Sequence, residues 1–97
     1  MINLYKNLNS LDLHGETVEI SKVLINDFIY DNYRMNKEKV LIIHGVGTKK
    51  LLKATQEVLS KNKYVENYKI DNYNLGQTIV SLKSRNNPWL FFVLALL

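Results

Sequence analysis

Residues 40–48 read Val-Leu-Ile-Ile-His-Gly-Val-Gly-Thr, and this stretch decides the fold. Its four apolar residues run without a break, which is typical of a parallel strand buried on both faces. The glycines then allow a tight turn into a helix. That helix is predicted from apolar residues at helical spacing, with polar residues largely opposite: Leu51, Leu52, Thr55, Val58 and Leu59 against Lys49, Lys50, Lys53, Gln56 and Lys61.

The same arrangement occurs earlier in the chain. Leu11-Asp12-Leu13-His14 alternates apolar and polar residues and stops at Gly15, which predicts a short strand with Asp12 and His14 on one face. Thr17 is the predicted N-cap of a helix that runs to about Tyr33. Its predicted apolar face is wide and contains Val18, Ile20, Val23, Leu24, Ile25, Phe28 and Ile29.

Two further strands are predicted at residues 65–70 and 78–82, joined by a turn at residues 71–76 that is rich in Asp, Asn and Gly. The predicted order is therefore βαβαββ. Such a chain forms an α/β fold with a four-stranded mixed sheet and two helices, because parallel strands require right-handed crossovers.

The chain has 97 residues and no cysteine, so we expect one domain, at residues 10–83, and no disulfide or Cys-based zinc site. Residues 1–9 form an N-terminal extension and residues 84–97 an apolar C-terminal tail. No export signal is visible, which predicts a cytoplasmic location. The apolar run Trp89 to Leu97 is shorter than the roughly 20 residues of a transmembrane span. Packing on the domain itself, contact with a protein or oligomer partner, and shallow membrane contact remain open for it.

The charge is uneven along the chain. Residues 1–48 have a net charge of −1, whereas residues 49–97 have a net charge of +5. A basic half is the part on which a polyanion is expected to bind, and nucleic acid is the partner that this balance favours.

Both His-Gly pairs end a predicted strand, so His14 and His44 are expected at the same edge of the sheet. Ligand sites of open α/β sheets form at that edge. The residues that open the second helix suit a phosphate, through main-chain amides and positive charge: Gly45, Gly47, Thr48, Lys49, Lys50 and Lys53. Asp12 and His14 favour either a carboxylate-oriented histidine or two ligands of a divalent metal.

Three motifs carry a family resemblance. Residues 11–15 with Thr17, and then residues 43–48, resemble the two signature motifs of the Smr (small MutS-related) family. Residues 76–82, Gly-Gln-Thr-Ile-Val-Ser-Leu, resemble its closing glycine turn and strand. The resemblance covers about residues 10–82 and indicates a free-standing member, with Gly15 and Gly76 as turn residues.

The resemblance implies a two-layer sandwich like the C-terminal domain of a bacterial translation initiation factor. It also implies endonuclease activity on DNA or RNA, including messenger RNA at stalled ribosomes. By position, Asp12 and His14 match the cleavage pair, and His44, Gly45 and Gly47 match the second motif. The chain departs from the family where Lys49 replaces a common glycine, where no arginine follows in that turn, and where Tyr73 and Asn74 replace glycines.

Three hypotheses follow. The leading one is phosphodiester cleavage with His14 as general acid or base, oriented by Asp12, and with His44 as its counterpart or as a phosphate ligand. RNA is slightly favoured as substrate because its 2′-hydroxyl is an internal nucleophile. The second is a binding module of the same fold without cleavage. The third is an adaptor whose apolar tail binds a ribosome or a protein.

Overall fold

The predicted order of six elements is confirmed by the structure, a computed structural model that describes residues 7–85 and Leu96. Most of the apolar tail, with the contacts predicted for it, lies outside the described residues. The elements are β1 (Ser10–Asp12), α1 (Val18–Arg34), β2 (Lys39–Ile43), α2 (Lys50–Lys61), β3 (Val65–Asp71) and β4 (Asn74–Leu82).

The four strands form one mixed sheet in the order β1-β2-β4-β3. β1 is parallel to β2, with Asp12 beside Ile43, and β4 is antiparallel to both β2 and β3. Val40, Leu41 and Ile42 are all buried. Because successive side chains of a strand point to opposite faces, β2 is buried on both faces, as predicted.

Both helices pack on the same face of the sheet. One buried cluster joins Ile25 and Ile29 of α1, Val58 and Leu59 of α2, and the strand residues Leu13, Val40, Ile42, Val65, Val80 and Leu82. This two-layer arrangement follows from topology, because β1-α1-β2 and β2-α2-β3 both connect parallel strands by right-handed crossovers. The core therefore lies between the helices and the sheet, and the strand ends stay accessible at the edges.

The apolar face predicted for α1 is too wide. Ile20 and Val23 are about half exposed, at 49% and 58%. The buried positions of the helix are instead Ser21, Ile25, Ile29 and Asn32. Asn32 is accommodated because its amide donates a hydrogen bond to the Phe28 carbonyl at 2.8 Å and its carbonyl accepts one from the Asn9 side chain at 2.8 Å. A polar side chain whose hydrogen bonds are satisfied can occupy the buried face of a helix. A prediction from hydrophobicity alone therefore misplaced the buried face of α1.

The loop predicted at residues 71–76 is wrong. β3 and β4 continue to a short turn at residues 72–73, where Asp71 Oδ1 accepts the Tyr73 main-chain N–H at 2.9 Å. The register jumps from Ile70 beside Thr78 to Asp71 beside Asn74, so residues 75–77 form a bulge in β4. Gly76, predicted as a turn residue, therefore lies within this strand.

The two helices begin differently. α1 begins as predicted, with Thr17 Oγ1 accepting the Ile20 N–H at 3.2 Å. α2 has Lys49 as N-cap in the left-handed conformation, at φ 65°, without a side-chain cap. This conformation is uncommon for a residue with a Cβ, so a glycine is favoured at this position.

An ion pair links the helices, because Lys22 Nζ of α1 lies 3.2 Å from Glu57 Oε2 of α2. A second pair lies within α2, where Lys61 Nζ is 3.6 Å from Glu57 Oε1. The hydrogen bond from Lys22, together with the two positive charges, lowers the pKa of the Glu57 carboxyl. Among the described residues, no helix is both long enough and apolar enough to cross a membrane.

We expect Lys49→Gly to raise the free energy of unfolding by about 0.5 to 1 kcal/mol. The substitution removes a left-handed penalty of about 1 to 2 kcal/mol, while the greater freedom of glycine in the unfolded chain offsets about half of that. Lys53→Gly is the matched control, because Lys53 is exposed in the body of the same helix, and it should lower stability by about 1 kcal/mol. Urea denaturation measures both values, and a loss of stability in Lys49→Gly would contradict the conformational explanation.

Candidate functional site

The predicted site residues gather at one edge of the sheet, where β1 and β2 end and α1 and α2 begin. The Leu13 N–H donates to the Ile43 carbonyl at 2.9 Å, which continues the parallel pairing beyond Asp12. His14 is the residue after Leu13, and His44 is the residue after Ile43. The structure therefore places both His-Gly pairs at the same edge, although β1 ends at Asp12 and His14 lies in the turn.

Asp12 and His14 are brought together through the main chain. Asp12 Oδ1 accepts the backbone N–H of His14 at 2.9 Å, and both residues are exposed. Gly15 completes this turn with a φ of 78°. The His14 ring has no hydrogen-bond partner among the residues that the structure describes. The carboxylate thus fixes the turn that carries His14, and the imidazole faces solvent, where it can exchange a proton with a ligand.

His44 is held differently, with 7% of its surface exposed. Its Nδ1 lies 2.9 Å from the Gly45 carbonyl oxygen, and its Nε2 lies 2.8 Å from Thr78 Oγ1. A carbonyl only accepts, so Nδ1 is the donor, and in the neutral ring Nε2 accepts from the Thr78 hydroxyl. Both ring nitrogens are therefore engaged inside the protein.

The two histidines also differ in direction. Asp12 pairs with Ile43, and the residue after Ile43 points to the opposite face of the sheet. In agreement with this, the His44 ring bonds to Thr78, which is buried, while Asp12 and His14 are exposed. The structure brings Asp12 and His14 together but does not bring the His44 ring to them.

Gly45 and Gly76 form a close backbone junction. The Gly76 carbonyl accepts the N–H groups of both His44 and Gly45, each at 2.9 Å. A Cβ on Gly76 would lie 3.4 Å from the Gly45 Cα and 3.3 Å from Asn74 Oδ1, while Gly45 has a φ of 80°. A side chain at position 76 would therefore crowd this junction, and one at position 45 would be strained.

The segment that opens α2 is exposed and positive. Gly47, Thr48, Lys49, Lys50 and Lys53 are all exposed. The first turn contains no acidic residue, and neither ion pair found among the described residues involves these lysines. The Lys50 N–H contacts Thr48 Oγ1 at 3.5 Å. Main-chain amides at a helix start, together with the positive charge of these lysines, form a suitable site for an anion such as phosphate.

Three polar residues that support the site were not found from the sequence. Thr78 holds the His44 ring, and Gln77 Nε2 donates to Asp71 Oδ2 at 2.7 Å across the bulge of β4. Thr78, Gln77 and Asp71 are each less than 10% exposed. The only signal in the sequence was a set of polar residues next to an apolar strand, and this pattern resembles an ordinary turn.

A metal centre is not formed by the described residues alone. Within residues 7–85 and at Leu96, no group of three or more His, Cys, Asp or Glu side chains is positioned to hold an ion. Asp12 and His14 provide two neighbouring side chains, and further ligands would have to come from water or substrate.

Comparisons with known proteins agree with this geometry. A family model described as "Smr domain" matches residues 11–83. The chain is 36% identical over 78 residues to the protein named endonuclease MutS2 from Clostridium botulinum, and 41% identical over 76 residues to the one from a Geobacillus strain. These alignments cover 77% and 75% of this chain but only 10% of each relative.

Two solved structures share the fold. The Smr domain of Thermus thermophilus MutS2 superposes with a TM-score of 0.76 at 25% identity, covering 78% of this chain and 99% of that one. YdaL, a stand-alone small MutS-related protein from Escherichia coli, superposes with a TM-score of 0.73 at 24% identity. The match covers 77% of this chain and 64% of YdaL.

We expect Thr78→Val to lower the free energy of unfolding by about 1 to 3 kcal/mol, because it leaves the buried Nε2 of His44 without a partner. Thr55→Val is the matched control. Thr55 is also buried, but its hydroxyl donates to the Leu51 carbonyl within a helix, and that carbonyl also lies in the main-chain hydrogen-bond ladder of the helix. Thermal or urea unfolding of both variants measures the difference, and equal losses would argue against a specific role for the Thr78 bond.

Proposed function

Because the chain belongs to the Smr domain family, we propose that it is an endonuclease that cleaves phosphodiester bonds in nucleic acid. The observation that carries this proposal is the exposed Asp12 and His14 turn at the same sheet edge as the exposed lysines that open α2. An anion site beside a proton-exchanging group is what cleavage of a phosphodiester requires. The relatives named as endonucleases support the same activity.

The segment from Gly45 to Lys53 is the proposed phosphate site. Its main-chain amides and the three lysines bind the scissile phosphate or its neighbours by charge and hydrogen bonds. The Gly76 carbonyl holds the turn that presents these groups. Lysine acts here as a point charge, without the bidentate geometry that arginine gives to a phosphate.

His14 is the proposed general base and acid. With RNA, His14 takes the proton of the 2′-hydroxyl while that oxygen attacks the phosphorus. The bond from phosphorus to the 5′-oxygen breaks, and this oxygen receives a proton from water, to which the protonated His14 then returns its proton. The products are a 2′,3′-cyclic phosphate and a 5′-hydroxyl. RNA is the favoured substrate because the nucleophile belongs to the substrate. His44 has a positioning role, because both its ring nitrogens are bonded within the protein.

A non-catalytic binding module is the second candidate. The observation that favours it is the second-motif turn, where Lys49 occupies a left-handed position and no arginine follows. Such a protein keeps the basic surface and binds nucleic acid without stabilising the charge that develops during cleavage.

We expect the double variant Asp12→Ala and His14→Ala to lose cleavage by about 10²- to 10⁴-fold, the usual contribution of an acid–base group, while it still binds nucleic acid through the lysines of α2. Labelled single-stranded RNA and supercoiled DNA are incubated with each protein, with Mg²⁺ or with a chelator. Glu19→Gln is the matched control, because Glu19 is an exposed acid in the first turn of α1, and it should cleave normally. Salt-sensitive binding without any cleavage by the unaltered protein would instead establish the binding module.

We expect Lys50→Ala with Lys53→Ala to weaken binding of all nucleic acids, whatever their sequence. The slope of log affinity against log salt should decrease in magnitude by about 1 for each lysine that contacts a phosphate. Lys61→Ala is the control, because Lys61 lies at the other end of the same helix. Affinity measured at several salt concentrations gives the slopes, and an unchanged slope in the double variant would remove α2 from the phosphate site.

A further inference from the structure

Three large apolar or aromatic side chains are exposed beside the candidate site. Tyr73 is 90% exposed, Val46 is 64% exposed and Leu75 is 61% exposed. Val46 and Leu75 flank the junction at which the Gly76 carbonyl accepts the Gly45 N–H, and Tyr73 lies in the adjoining β3–β4 turn. We call these three residues the rim.

The local backbone explains why the rim is not folded into the core. Leu75 lies in the bulge of β4, and a bulge redirects side chains out of the regular alternation of a strand. Tyr73 lies in a turn whose backbone is fixed by Asp71 Oδ1. The main chain therefore holds the rim in the exposed position, next to the phosphate site rather than over the core.

We propose that the rim contacts unstacked bases, and that the site therefore takes single-stranded nucleic acid in preference to a duplex. This inference rests on the proposed function and narrows its substrate class. A duplex offers phosphates to the lysines but keeps the faces of its bases stacked inside. A single strand offers phosphates together with exposed base faces, and aromatic side chains stack on these with little regard to sequence.

The surroundings of the rim favour this occupant over an apolar protein surface. The neighbouring segment carries exposed Lys49, Lys50 and Lys53, and the first turn of α2 has no acid. Burying these lysines against an apolar partner would cost desolvation energy without compensation. A single nucleic-acid strand offers negative phosphates to the lysines and flat base faces to the rim.

The test separates base contacts from phosphate contacts by means of an abasic strand. The probes are a labelled 12-nucleotide oligouridylate, an abasic phosphodiester strand of the same length, and a duplex of the same length. Affinities are measured by fluorescence anisotropy at one salt concentration for the unaltered protein and for Tyr73→Ser. Tyr30→Ser is the matched control, because Tyr30 is 44% exposed but lies near the far end of α1, against Tyr64.

We expect the unaltered protein to bind the oligouridylate at least tenfold more tightly than the abasic strand or the duplex, in the range of one stacked base. Tyr73→Ser should weaken oligouridylate binding by about 5- to 100-fold and leave binding of the abasic strand unchanged. Tyr30→Ser should change neither. Because the Tyr73 side chain is almost fully exposed, the variant should keep its fold, which circular dichroism verifies.

The remaining outcomes are distinct. Equal affinity of the unaltered protein for all three probes, or equal weakening of all three by Tyr73→Ser, overturns the base contact and leaves the endonuclease proposal standing if cleavage is observed. The expected pattern without cleavage supports the rim and contradicts the endonuclease proposal. A protein that binds no probe overturns both.

Discussion

The carbonyl oxygen of Gly76 accepts two consecutive amides, those of His44 and Gly45, and the arrangement of the candidate site depends on this contact. It joins the end of β2 to the bulge of β4 so closely that a Cβ on position 76 would lie 3.4 Å from the Gly45 Cα. The contact turns the chain after β2 and brings the start of α2 to the sheet edge. The His44 ring reinforces it through its bonds to Gly45 and Thr78.

The sequence predicted the parts of the fold that depend on short-range patterns. The order of elements, the buried β2 and the Thr17 cap all follow from periodicity or from a capping side chain. The hairpin did not, because Asp71 and Asn74, which are typical of a loop, continue the strands here, and Asp71 accepts a side-chain bond from Gln77 across the bulge. Burial of Asn32 was also missed, since a hydrogen bond from the distant Asn9 side chain satisfies it. Burial of Ser21 was missed as well, and no described residue bonds to its buried hydroxyl.

The family motifs located the candidate site more closely than they described it. They indicated Asp12, His14 and the glycine turn, and the structure places these at one edge. They gave no indication that Asp12 bonds the backbone of His14 rather than its ring, or that His44 is internally bonded. The departures are also informative. Lys49 keeps the left-handed conformation that glycine favours, whereas Tyr73 and Asn74 are not among the residues with positive φ.

β1 has three residues and pairs only with β2 among the described strands. Its attachment depends on a few main-chain bonds and on Leu13, which is fully buried. Short edge strands of this kind open by local fluctuation at a lower free energy than the core. Asp12 and His14 belong to this strand and its turn, so they share its hydrogen-exchange behaviour. For the proposed endonuclease, the fraying of this edge sets the fraction of molecules in which the Asp12 and His14 turn is in place, and heating lowers that fraction before the sheet and both helices unfold.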